Sequence, residues 1–176
     1  MFAVLGEEAT FCDRVRRLGG EATPAAPTRR GGWAGAELLY LDAALLLESP
    51  RREAFNTTVQ AARREGALIA LVLDGAAWVR RRSGPQTAYA LAAIRPDILF
   101  TSTPAAVELG VPIEGPAGVP VVALEGGGCS VFGRRLSAPS AAHDFGAALA
   151  AAFCVAFVEG ATPVEAAGRA VLVAAQ

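Results

Sequence analysis

The stretch ALIALVLD (67–74) places seven aliphatic residues in a row and closes them with an acid. No polar side chain interrupts it, so neither face of the segment suits water. A run this short and bulky fits a strand buried on both faces of a parallel sheet. AELLYLD (36–42), RPDILFTS (95–102) and VPVVAL (119–124) repeat the theme. Between the first two runs lies PRREAFNTTVQAARREG (50–66), with apolar residues at helical spacing (Ala54, Phe55, Val59, Ala62) and a terminal glycine. GPQTAYALAAI (84–94) also reads as a helix. This alternation predicts an α/β fold, a three-layer α/β/α sandwich with a mostly parallel sheet.

The remaining segments extend the pattern. TPAAVELG (103–110) predicts a helical turn or two, with Thr103 as cap and Pro104 at the first helical position. EGGG (125–128) is a glycine-rich turn, and CSVFGRRL (129–136) one strand paired back on its predecessor. Two helices close the chain, over about 141–158 and 162–175. The predicted organisation is a single domain over 1–176: an N-terminal helical segment (1–24) with a loosely attached helix near 7–18, a loop (25–35) and a core (36–176). In such sheets ligands bind beyond the carboxyl ends of the strands. Asp42, Asp74, Ser102 and the 125–128 turn all fall there.

Composition removes several function classes. The 176 residues carry 16 basic and 17 acidic side chains, for a net charge of -1. Neither nucleic acid nor an anionic membrane is expected as partner. All basic residues are Arg, so no lysine serves as Schiff base or phosphate-binding cation. Three scattered cysteines and one histidine give no metal-ligand pattern, and suit a reducing, cytoplasmic setting. The longest apolar run, 145–158, is shorter than the roughly 20 residues a bilayer requires, so it reads as a core helix.

Order and spacing together resemble the C-terminal, nucleotide-side part of the PfkB or ribokinase-like carbohydrate and nucleoside kinases. LIALVLDGAAW stands where that family has a strand ending in Asp-Pro-Asn. DILFTSTPAAVEL stands at its strand plus Asn-x-x-Glu, and VPVVALEGGGCSVF at its strand, Thr-x-Gly and glycine-rich turn. APSAAHDFGAALAAAF stands at the Gly-Ala-Gly-Asp signature that opens a long small-residue helix, and EGATPVEAAGRAVLVAA resembles the final helix. The match spans about 36–175, and LGEEATFCDRVRRLGGEA is a weaker echo of the segment before the lid. The resemblance implies a ribokinase-like fold, here truncated and lacking the lid.

It further implies ATP with Mg2+ as cofactors, Asp144 as the base, and an anion site at Ala141, Ala142 and His143 with Gly126, Gly127 and Gly128. Asp74 and Ser102 become possible ligand contacts. The departures are equally specific. Both signature glycines are replaced, and His143 fills space where phosphate would approach. Asn-x-x-Glu becomes Ser102-Thr103-Pro104-Ala105, and Glu125 sets a negative charge near a polyphosphate. The opening strand, substrate loop and lid strands of the family are not recognisable.

Each residue also has a plainer reading. Asp144 suits a helix cap, Gly126–Gly128 a tight turn, and Arg80-Arg81-Arg82 a solvated loop. Two functions follow from the resemblance. One is a divergent kinase-like protein, catalytically impaired, serving as a binding or assembly subunit, with a small-molecule sensor as a variant. The other is an active minimal kinase with Asp144 as base. The unrecognised strands imply an exposed sheet edge, hence a homodimer or hetero-complex.

Overall fold

The computed structural model describes residues 1–5, 9–25, 33–47, 50, 52–138 and 144–176. In chain order the elements are β1 (Phe2–Leu5), α1 (Ala9–Arg17), β2 (Ala22–Ala25), β3 (Leu38–Asp42), α2 (Ala43–Leu47), α3 (Arg52–Arg64), β4 (Leu68–Leu73) and α4 (Ala76–Arg82). They continue as α5 (Gly84–Ile94), β5 (Ile98–Ser102), α6 (Thr103–Leu109), β6 (Val119–Ala123), β7 (Cys129–Val131), β8 (Arg134–Leu136), α7 (Phe145–Val158) and α8 (Pro163–Ala174). The strands form one sheet in the order β2-β1-β3-β4-β5-β6-β7-β8. Every pair from β2 to β6 is parallel, and β7 and β8 are antiparallel additions.

The layers follow from the two-residue period of a strand. One face presents Val4, Tyr40, Ala70, Ile98, Phe100 and Val121 to α1, α7 and α8. The other presents Leu5, Leu39, Leu41, Ile69, Leu71 and Leu99 to a core built with α2, α3 and α5. This is why the strands read as unbroken apolar runs. Helix α7 is buried nearly all round, with Ala148, Ala150, Ala151 and Ala152 allowing close approach of its neighbours and Phe153 fully enclosed. The ring of Phe153 meets Phe100 edge-on at 5.5 Å and stacks with Phe157 at 5.7 Å.

Four expectations change. The N-terminal segment is not simply helical: Phe2–Leu5 form a buried strand between β2 and β3. Its four residues are too few for a strong sequence signal, yet all four are buried. The residues 22–25, read partly as loop, form the edge strand β2. Arg80, Arg81 and Arg82 lie on helix α4 rather than a loop, with Arg80 paired to Glu108 of α6. The single strand expected over 129–136 is two, turned by Phe132 and Gly133, both at positive φ.

The flank expected to stand open is therefore extended by β1 and β2. The edge strand β2 is only four residues long and contains Pro24, while β8 at the opposite edge exposes Arg134 and Arg135. Short strands, proline and charge are poor templates for pairing with another chain. Among the described residues no helix is long and apolar enough to cross a membrane.

Candidate functional site

The α7-facing side of the sheet carries the site. Register sets Asp42 beside Val72, Val72 beside Phe100 and Phe100 beside Val121, forming one row of side chains across four strands. One step nearer the carboxyl ends, Ser102 stands beside Ala123, and its hydroxyl donates to Asp74 Oδ1 over 3.3 Å. The first turns of α7 cover these rows through Phe145, Gly146, Leu149 and Ala150. Together they enclose a cavity of about 490 Å³, with Tyr40 and Phe100 in its walls and Glu125 also lining it. Thr103 Oγ1 donates to the Ala123 carbonyl at 3.0 Å and so ties the end of β5 to the end of β6.

The electrostatics of this cavity are one-sided. Asp42, Asp74 and Glu125 line it, and among the described residues no Arg or His does. Asp42 is the most enclosed of the three acids. Burial raises its carboxyl above the ordinary value of 3.8, the Ala44 N–H donating to Oδ1 at 2.8 Å pulls it back, and the charge of Asp74 raises it again. The Asp42 side chain thus has acceptor capacity beyond its one backbone donor.

The sequence-predicted residues divide between places. Asp74 and Ser102 line the cavity. Asp144 does not: it is the N-cap residue of α7, but its carboxylate makes no capping bond and instead accepts from the Arg14 guanidinium of α1. It borders a separate cavity of about 340 Å³ with Arg14, Arg17, Leu18 and Gln176. Ala141, Ala142 and His143 lie outside the described residues. Gly126, Gly127 and Gly128 all adopt positive φ but are not among the residues lining the large cavity. Their turn is closed by Gly127 N–H to the Leu124 carbonyl and Leu124 N–H to the Gly128 carbonyl. A Cβ on Gly128 would stand 2.3 Å from the Leu136 carbonyl oxygen, so the glycine there meets a packing demand of β8.

Sequence reasoning placed Asp42 at a ligand-binding strand end but passed over Tyr40, Phe100 and Phe145 as walls and Arg14 as the partner of Asp144. Strand parity could have found Tyr40 and Phe100, because residues two apart from Asp42 and Ser102 share their face. Nothing local in sequence joins Arg14 to a residue 130 positions away.

Of the ATP and Mg2+ implied by the family resemblance, the polyphosphate finds three carboxylates and no Arg or His in the described lining. Among the described residues, no group of three or more His, Cys, Asp or Glu side chains is arranged to hold a metal ion.

No protein-family model matches the chain, and no curated protein matches its sequence. Solved structures do match. Adenosine kinase from Sinorhizobium meliloti superposes with a TM-score of 0.72 at 16% identity, covering 98% of this chain and 70% of that one. Aminoimidazole riboside kinase from Salmonella enterica, complexed with aminoimidazole riboside and an ATP analog, gives 0.70 at 12% identity, covering 99% and 92%. A probable sugar kinase protein from Rhizobium etli gives 0.66 at 15%, covering 99% and 70%. The fold is therefore that of the PfkB or ribokinase-like kinases, in a chain of 176 residues.

Proposed function

We propose that this chain is a ribokinase-like protein that binds a small molecule at the carboxyl ends of its strands and is impaired in phosphoryl transfer. The observation that carries the reading is the lining of the large cavity. It has the position of a ligand site in an open parallel sheet, yet it presents carboxylates where phosphoryl transfer needs positive charge. Phosphoryl transfer depends almost wholly on positioning and on stabilising that charge. A lone general base contributes only about 10²–10⁴-fold, so Asp144 by itself does not make an enzyme of this cavity.

The competing reading is an active minimal ATP-dependent kinase with Asp144 as base. It is favoured by one observation: Asp144 stands at the N-terminus of the long helix α7, where the resemblance places that group. The two readings part in a direct assay. Purified chain is incubated with ATP, Mg2+ and a panel of sugars and nucleosides, and ADP release is followed. The binding-protein reading expects no release above a protein-free control. Release that disappears in Asp144→Asn establishes the kinase instead.

An assembly role belongs to the same proposal. The short, proline- and arginine-bearing sheet edges direct any partner to a helical face. A mass equal to one chain by light scattering at micromolar concentration removes self-association from it.

A further inference from the structure

We propose that the strand-end cavity takes a small organic cation, an amine carried on an apolar body, and not a nucleoside polyphosphate. This rests on the reading that the cavity is a ligand site, and adds to it the ligand's charge.

The volume of about 490 Å³ lies within the range of small-molecule sites. Its walls are apolar, made by Tyr40, Val72, Phe100, Val121, Phe145 and Leu149. Such walls accept a hydrocarbon or aromatic body. At its strand-end side stand Asp42, Asp74 and Glu125. Burial, and after it the charge of Asp74, already raises the cost of ionising Asp42. A cation between them removes that repulsion and gains two charge-assisted hydrogen bonds. Ser102, held by its bond to Asp74, keeps that carboxylate in place. The aromatic rings in the walls further favour a positive centre over a negative one.

A polyphosphate meets the reverse situation. Among the described residues the lining offers it no Arg and no His, and the sequence has no Lys at all. The nearby glycine turn spends the Gly127 N–H and the Gly128 carbonyl on its own closure. The feature that disqualifies the cavity for phosphate is the one that suits it to an amine.

The test uses the full chain and matched probes: 2-phenylethylamine and cyclohexylmethylamine, each beside its neutral alcohol and its carboxylate counterpart, with ATP and Mg2+ as a further arm. Binding is read by calorimetry and by thermal shift at pH 7. The expected result is saturable binding of the amines, at least tenfold tighter than the alcohols, with no binding of carboxylates or nucleotide. Asp42→Asn and Asp74→Asn each lower amine affinity at least tenfold while leaving alcohol binding within twofold. If alcohols and carboxylates bind as well as amines, the cavity stands as a ligand site and the charge selection is wrong. If no probe of any charge binds, both the selection and the reading of the cavity fall. Retention of folding in each variant is read from circular dichroism, and a double variant, Asp42→Asn with Asp74→Asn, keeping tenfold amine preference also overturns the proposal.

Discussion

Arg14 on α1 donates to the carboxylate of Asp144 at the start of α7, joining the N-terminal segment to the longest helix across 130 residues of sequence. The contact takes a carboxylate that stands at a helix N-terminus and turns it toward another helix.

Breaking that pair tests how firmly α1 is held. The side chains are 23% and 47% exposed, so screening limits the gain. A double-mutant cycle of Arg14→Ala and Asp144→Ala should give a coupling of about 0.5–1 kcal/mol at low salt. Urea denaturation measures it, and the coupling should shrink as salt is raised. A coupling of zero at low salt removes the pair as a tether.

Asp42 carries a pH dependence of defined sign. Its folded carboxyl titrates above the ordinary 3.8 because of burial first and Asp74 last, with the Ala44 N–H opposing. The folded chain therefore holds that proton more tightly than the unfolded chain. Asp42 favours folding below the ordinary value and loses that contribution as pH rises from there through the raised value. Asp42→Asn, which keeps an acceptor for Ala44, should raise Tm at pH 7, and the advantage should vanish below about pH 4. A Tm gain that persists at pH 3 contradicts the assignment.

Gly84 opens α5 where α6 passes closest, and a Cβ there would lie 2.1 Å from the Glu108 carbonyl oxygen and 2.5 Å from that of Leu109. Backbone cannot yield as a side chain does. Gly84→Ala should cost more than about 2 kcal/mol by overpacking, read as a fall in urea midpoint. Gly146→Ala is the control: no atom lies near that position, so no loss from overpacking is expected.

Phe153 is fully buried at the junction of α7 with the sheet and touches the cavity wall through Phe100. Phe153→Leu conserves most of the volume and should cost about 1–2 kcal/mol, whereas Phe153→Ala should cost about 3–5 kcal/mol. The measurement is equilibrium denaturation of both variants. Equal losses would mean that ring volume is not what holds the junction.

The parts legible in sequence are those written in long, regular patterns. ALIALVLD became β4, GPQTAYALAAI became α5, and Pro163 opens α8 behind a Thr162–Glu165 capping box. The parts that escaped are short or non-local. FAVL is a central strand of only four residues, visible as such because β2 and β3 flank it. Thr103 was expected to cap α6, but Ser102 holds that position, and the Thr103 hydroxyl bonds the Ala123 carbonyl. For the candidate site, Asp74 and Ser102 were named because strand ends are predictable places, and both line the cavity. The walls and the Arg14–Asp144 pair depend on which strands lie side by side, which no local stretch encodes.

The central claim is that a ribokinase-like fold here encloses a ligand cavity unsuited to nucleotide. Titration calorimetry of the full chain with ATP and Mg2+, up to millimolar nucleotide, tests it most directly. The account predicts no saturable heat. Saturable binding of ATP with Mg2+ in that range contradicts the account.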